Sequence, residues 1–523
     1  MSRTGRAAKG FVTGIFQITT QILVQILLAP VVLRMAGRET LGAYAAIVQT
    51  LGFIAVVDIV GAWSLERFLG QSIGLDDGGL RFRCIFTTAR TVFLFCNTLF
   101  ATLVLVFSFF IERLFHLSPA VAHQAHYALY VISVWAIVRT PLAAYQNAST
   151  ATQDMAASNL IATGGGIART VASLVFVLLG GGLFGLMLSG SLVEGLSYFF
   201  FRMRFKKMNP HLMPRWGIPD KALLKEMLGF GGYAFVLNLG NSLVFSSGNM
   251  IAGMTHGAAV ASSFYTTQMP TVTSLNMMMR LPDSSAPAIN ELWGRREVEK
   301  LRSTLHRILR LLLALTLPLA TGVLLFNQDV VITWVGPKQY AGTLLTASLA
   351  AFCIIVAIQR MAITYSFVFG WMRLLTTTAL IQGAANFGLA FYLAKQLGLG
   401  GITLALVIVV LPQTIILWHR IGRFLEVNVT GLLGGCVTRS LIPLGCAAVC
   451  SFLVHRMVVI GQRHFLALLA EMLAFTLVYA VLAYPLVLFE HDRTEVKRYL
   501  RSFAGRGKSM PRRLARVFGS TPN

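Results

Sequence analysis

Four arginines and one aspartate stand where a polar side chain is costly, inside long apolar stretches. Arg139 lies near the middle of VISVWAIVRTPLAAY and Arg169 mid-way along 157–179. Arg360 lies within 341–367, and Arg280 near the end of 258–281. Asp58 lies in LGFIAVVDIVGAW, well inside 41–65. An ionised side chain at the centre of a bilayer costs about 2.5–3.5 kcal/mol even on lenient insertion scales, so each should face protein or water. Arginine suits one task in such a place. Its planar fork donates paired hydrogen bonds to phosphate or carboxylate oxygens, and it stays charged when buried. The plain alternative is that each arginine pairs with a helix carbonyl or an acidic neighbour and only fixes packing. For Arg280, close to a span end, the plain alternative is a side chain that snorkels to the interface. Asp58 also has two readings: a carboxyl that carries a coupling proton, or an ion-pair partner of one of the arginines. Glu194 and Glu471, the other acids inside apolar runs, read as ion-pair partners.

The elements that must hold these groups are membrane helices. Hydrophobic residues make up 56% of the 523 residues and charged residues 12%, with a mean hydropathy of +0.70. A soluble domain carries roughly twice that charge. Runs of about 20 apolar residues are long enough to cross the hydrocarbon as helices. They number about fourteen: 10–33, 41–65, 85–111, 122–148, 157–179, 183–203, 228–254, 258–281, 305–326, 341–367, 374–394, 399–418, 437–459 and 464–489. The expected fold is therefore an all-α polytopic membrane protein. The longest internal polar stretch, RMRFKKMNPHLMPRWGIPDKALLKEM, separates two sets of six, and Asp220 within it reads as a helix N-cap. This divides the chain into a lobe at 1–203, a basic linker at 204–227, a second lobe at 228–420, an extra helix pair at 421–490 and a basic tail at 491–523.

The net charge of +24 belongs to this picture. Loops on the cytoplasmic side collect Lys and Arg. With the N-terminus inside, about 29 of the 44 Lys and Arg fall in inside loops and the tail, and about seven in outside loops. Both termini are expected in the cytoplasm, and no nucleic-acid partner is implied. The outside loops are all short, which leaves no room for an outer catalytic domain. The six cysteines read as buried thiols without a disulfide. No metal-ligand set, nucleotide-binding loop or nucleophile–base set is present, so neither a cofactor nor an enzyme is expected. The tail carries Val496, Tyr499, Leu500 and Phe503 at helical spacing among basic residues. It reads as an interfacial helix on anionic lipid or as a solvated tail.

The two sets of six repeat. An offset of about 220 residues sets Arg90 opposite Arg310, Arg139 opposite Arg360 and Tyr145 opposite Tyr365. Each half has an even number of spans, so the repeats share one orientation in the membrane. Arg139 and Arg360 would then face a common space from opposite walls.

Three stretches carry a family resemblance. LLAPVVLRMAGRETLGAYAAIVQTLGFIAVVDIVGAWSLERFLGQ resembles the opening of Wzx-type polysaccharide exporters. KALLKEMLGFGGYAFVLNLGNSL and LTLPLATGVLLFNQDVVITWVGPKQYAGTLLTASLAAF are similar to later parts of the same group. These exporters are lipid-linked oligosaccharide flippases, grouped with MATE drug exporters and lipid II flippases. The resemblance covers the first twelve spans. It implies a V-shaped, MATE-like molecule of two six-helix lobes plus two C-terminal helices, working by alternating access in the bacterial inner membrane. It also implies an anionic cargo, a polyprenyl-diphosphate-linked glycan (O-antigen, capsule or exopolysaccharide repeat unit). Arg139, Arg360, Arg169 and Arg280 are then the candidate cavity residues, with Asp58 as a coupling group or ion-pair partner. Glycan polymerase or assembly proteins are the partners this role implies. Two other classes stay open. A MATE-type small-molecule exporter would favour an acidic cavity, and the inward groups here are mostly arginines. A polymerase or scaffold of a glycan-assembly complex is the other.

Overall fold

The structure is a computed structural model. It describes residues 20, 26–72, 77, 79–152, 154–214, 217–458 and 464–487. The tail 491–523 and most of the first expected span, 10–33, lie outside the described residues.

The described chain is helical throughout. The N-terminal half comprises α1 (Ile26–Met35), α2 (Gly37–Ile54), α3 (Ile59–Ser72), α4 (Leu80–Phe115), α5 (Pro119–Ala151), α6 (Met155–Leu178) and α7 (Gly182–Met208). The second half comprises α8 (Lys221–Phe245), α9 (Gly248–His256), α10 (Ala258–Met278), α11 (Arg280–Gly294), α12 (Val298–Val335), α13 (Thr343–Val368), α14 (Met372–Leu397) and α15 (Leu399–Leu425). The pair α16 (Val429–Val458) and α17 (His464–Leu486) follows. Twelve helices among the described residues are long and apolar enough to cross a membrane. The expected span 258–281 corresponds to α10, which is more polar. Large apolar side chains point outward around the bundle, among them Phe109, Leu179, Ile381 and Val481. Such a surface is stable only against lipid.

The repeat is visible in the helix breaks. The second span of the first half breaks at Ala55–Asp58, a single 3₁₀ turn between α2 and α3. Its counterpart breaks at Met279, between α10 and α11. At both breaks one amide is shared by two carbonyls: Ala55 N–H by Leu51 and Phe53, Met279 N–H by Leu275 and Met277. The longest helix of each half, α4 with 36 residues and α12 with 38, then follows. Tyr145 and Tyr365, counterparts in sequence, are both buried.

Two expectations meet a different structure. The expected span 228–254 is interrupted at Ser246, where α8 ends and α9 begins after one further residue. In the basic stretch α7 runs on to Met208, since solvated Lys and Arg are good helix formers, and α8 starts at Lys221, the expected helix start. Asp220 does cap α8, its carboxylate accepting from the Ala222 and Leu223 amides at 2.9 and 3.1 Å. All six cysteines are free thiols, but only Cys96, Cys353 and Cys436 are buried; Cys446 is exposed. Its position on a span whose face meets lipid needs no cover.

The halves meet along the second span. Gly42 of α2 lies so close to α10 that a Cβ there would fall 1.7 Å from the Ala258 carbonyl oxygen. Arg38 Nη2 donates to Ser263 Oγ at 2.9 Å and to the Lys338 carbonyl at 3.0 Å. Toward the other membrane face, buried Ser64 of α3 donates to the Met227 carbonyl of α8 at 2.7 Å. A bond of this kind contributes about 1 kcal/mol net. The Arg67 guanidinium also sits over the Phe230 ring, 4.2 Å from its centroid.

Candidate functional site

The apolar core of the N-terminal half is divided, and two of its clusters flank the site. One cluster gathers Ile47, Phe100, Ile111 and Leu129, the other Leu65, Phe86, Tyr145 and Phe205. Between them α2, α5, α6 and α7 enclose a cavity of about 590 Å³. Tyr44, Trp135, Arg139, Arg169, Glu194 and Tyr198 line it. The helices place these groups by register. Arg139 and Trp135 are one turn apart on α5, and Glu194 and Tyr198 one turn apart on α7, so each pair shares a helix face.

The polar contacts form two sets. In the first, Arg139 Nη1 pairs with Glu194 Oε2. Tyr198 Oη donates to the other carboxylate oxygen, Glu194 Oε1, at 2.9 Å. The Arg139 guanidinium lies 5.9 Å from the Tyr198 ring centroid. Asp58, at the 3₁₀ break, is within electrostatic range of Arg139 and Glu194. Its Oδ1 is buried and accepts no hydrogen bond among the described residues. In the second set, Arg169 Nη2 donates to Tyr44 Oη at 2.9 Å. That partner is neutral, so the Arg169 charge is not neutralised by a carboxylate bonded to it. Gly190 gives this side chain its room: a Cβ there would lie 3.2 Å from Arg169 Nη2. Trp135 is fixed by its indole N–H, which donates to the Ser191 carbonyl at 2.8 Å.

The structure thus puts Arg139 and Arg169 on one cavity, with Asp58 within electrostatic range of Arg139. It places Arg360 and Arg280 elsewhere. Arg360 Nε and Nη2 both donate to Asp283 Oδ1, at 2.9 and 2.6 Å. Asp283 stands in the first turn of α11, the turn that exposed Arg280 begins. Both partners of the Arg360–Asp283 pair are over a third exposed, so the pair itself contributes little to stability. Glu471 pairs with His455 Nδ1 at 2.8 Å and ties α17 to α16.

Sequence reasoning did not single out Tyr44, Trp135 or Tyr198 for this cavity, nor Asp283 for the second half. Tyr198 carried a signal, since it stands four residues after an acid inside an apolar run. Tyr44 and Trp135 carried none, because aromatic residues are common throughout these spans.

A further groove runs where α10, α12 and α17 meet. It holds about 860 Å³ and is lined by Met278, Leu315, Phe326, Phe475 and Tyr479 among others. Apart from a few hydroxyls and Asn327 it is apolar.

The family model described as polysaccharide biosynthesis protein matches residues 31–344. Among solved structures, the lipid II flippase MurJ in an inward closed conformation is similar over 91% of this chain and 97% of its own, with a TM-score of 0.68 at 14% identity. An inward-facing multidrug resistance MATE family transporter of the MOP superfamily is similar over 79% of this chain and 98% of its own, with a TM-score of 0.62 at 17% identity. At these identities the likeness establishes the fold. No curated protein sequence matches the chain.

Proposed function

The chain belongs to the polysaccharide biosynthesis protein family, and from that premise we propose that it is a flippase for polyprenyl-diphosphate-linked oligosaccharide. It moves the repeat unit from the inner to the outer leaflet of a bacterial cytoplasmic membrane by alternating access. The observation that carries this reading is the charged cavity inside the membrane-spanning part of the N-terminal half, with two arginines on its wall. Crossing the hydrocarbon is forbidding for a diphosphate and a glycan, which need a polar surface at mid-membrane. Arginine supplies that surface without losing its own charge. Arg169 is the primary anion contact, because Tyr44 orients it without cancelling its charge. Arg139 is held by Glu194 in this state and becomes available when an anion displaces that carboxylate. The polyprenyl tail stays in lipid, and the apolar groove along α12 and α17 offers it a path beside the bundle. A fold shared with a lipid II flippase and a multidrug transporter supports movement of cargo between two lobes, here 1–203 and 228–420 joined by the linker 204–227.

Sidedness of the lipid-linked glycan in cells lacking the protein tests this. A glycan-modifying reagent that cannot cross a bilayer is applied to sealed inner-membrane vesicles of known orientation, then again after opening them. Intact repeat units should accumulate on the cytoplasmic leaflet. Repeat units that reach the outer leaflet normally and remain unpolymerised would overturn the flippase reading in favour of a polymerase or scaffold.

A further inference from the structure

The second cavity of the molecule is polar but uncharged. It lies at the interruption between α8 and α9, against α2, α10, α14 and α15, and measures about 480 Å³. That is within the roughly 300–1,000 Å³ typical of small-molecule sites. No Asp, Glu, Lys, Arg or His lines it among the described residues. Its polar wall is made of side-chain amides: Gln49, Asn249, Gln268, Asn276 and Asn386.

Four of these amides, Gln49, Asn249, Gln268 and Asn386, are each held at one end by a hydrogen bond. Asn386 is 2% exposed. Its Nδ2 donates to the Leu243 and Val244 carbonyls at 3.0 and 3.2 Å, which the end of α8 leaves without helical partners. Its Oδ1 is buried and has no donor among the described residues. Gln268 Nε2 donates to Asn249 Oδ1 at 2.9 Å, and Gln49 Oε1 accepts from the Met250 amide at 3.0 Å. Each amide carries both donors and an acceptor. The Gln268 carbonyl oxygen, the Asn249 and Gln49 amino groups and the Asn386 carbonyl oxygen therefore remain for a ligand. A buried polar atom left unpaired costs about 1–3 kcal/mol, which a ligand carrying donors and acceptors of its own would recover. Phe264, Tyr265 and Phe352 supply aromatic surface in the same cavity.

We propose that this cavity is a subsite for the uncharged sugar next to the diphosphate of the cargo. The inference rests on the reading of the cargo as a diphosphate-linked glycan. Sugar hydroxyls both donate and accept, so they match an alternation of amide oxygens and amino groups, and a pyranose C–H face packs on an aromatic ring. The absence of charge excludes the diphosphate itself from this cavity. The two cavities adjoin across α2, whose Tyr44 and Val48 line the charged one and whose Gln49 lines this one. Tyr265 joins them: it lines the uncharged cavity and lies within electrostatic range of Arg169 and Tyr44. On this proposal a diphosphate at Arg169 directs its first sugar past Tyr265 toward the amides.

Binding is measured on the full-length protein in lipid nanodiscs with two probes. One is undecaprenyl diphosphate. The other is the pool of diphosphate-linked glycolipids extracted from the membranes of the cells that make the protein. The wild type should bind the glycolipid at least about tenfold tighter. Gln268→Leu should reduce glycolipid binding to the level of the sugar-free lipid while leaving that lipid's affinity unchanged. Gln49→Leu, on α2, should do the same and serves if Gln268→Leu does not fold. Arg169→Gln should weaken both probes. A wild type that binds undecaprenyl diphosphate but shows no preference for the glycolipid overturns the sugar subsite and leaves the flippase reading intact. Glutamine variants that weaken both probes equally overturn the sugar subsite as well. A wild type that binds neither probe overturns both readings.

Discussion

The two halves share a topology and spend their polar residues differently. The N-terminal half divides its apolar core and lines the gap with two arginines and a glutamate, with an aspartate within electrostatic range of Arg139 and Glu194. The second half packs one continuous core, from Ile251 through Leu313 and Cys353 to Leu425, and lines its own cavity with amides and hydroxyls. Its Arg360 instead pairs with Asp283, with both side chains over a third exposed. Duplicated helices therefore need not carry duplicated chemistry. Repeat symmetry is set by span length and turn position, whereas charge can be moved to whichever half supplies its counter-charges.

The largest effect expected from this contrast is on export. Arg139→Ala together with Arg169→Ala should lower export by about 100-fold or more, since each charged hydrogen-bonding group contributes about 1.5–3 kcal/mol. Protein abundance in the membrane should stay normal. Arg360→Ala should cost less than about tenfold, in line with an exposed pair. Polymer output in a complemented deletion strain measures both, and an equal loss from Arg360→Ala alone would break the contrast by giving both halves the same anion-binding work.

Gly42→Leu probes the contact between the halves. Its side chain would run into the α10 backbone at Ala258. Overpacking of this kind costs about 1–3 kcal/mol when it cannot relax. Spin labels on the ends of α2 and α10 should move apart, or thermal unfolding in detergent should come at lower temperature; neither change would mean that the close approach is not maintained.

Glu194→Gln sharpens the picture within the charged half. The amide still accepts from Tyr198 but no longer neutralises Arg139, whose side chain is 12% exposed. Breaking a fully buried pair costs about 3–5 kcal/mol, and the half-open glutamate brings the expected loss to about 1–2 kcal/mol. Affinity for undecaprenyl diphosphate should rise in the same variant, because Arg139 is released. A fall in affinity would place the carboxylate on the binding side of the balance.

The smallest effect concerns a pair of loops that match across the repeat. Asp77 precedes α4 and Glu297 precedes α12. Backbone N–H groups of Arg81 and Gly79, at 2.7 and 2.9 Å, hold the Asp77 carboxyl below its ordinary range. The Lys300 ammonium does the same for Glu297. An acid depressed in the folded state stabilises above its unfolded pKa, and that stabilisation is lost as the pH falls through its folded one. Protection factors of the amides at the start of α4, corrected for the intrinsic pH dependence of exchange, should therefore fall on acidification through and below the carboxylate range, and Asp77→Asn should flatten that dependence.

Much of this was legible in the residues. Hydrocarbon thickness fixes how long an apolar run must be, so most of the spans follow from composition along the chain. Asp220 as a cap followed from local chemistry, because a cap and its partners are three residues apart. That Arg139, Arg169 and Asp58 must avoid lipid followed from the cost of charge in hydrocarbon. Which group each would meet did not. Arg139 finds Glu194 rather than a partner on the other half, and Arg360 finds Asp283 across 77 positions. The break at Ser246 was equally hidden, since the carbonyls it frees are satisfied by Asn386, 143 positions beyond Leu243. Sequence determined which residues must be inside and on what kind of element. Only packing decided which of them touch, because a hydrogen bond or ion pair acts over a few ångströms and those distances are set by helices that meet from distant parts of the chain.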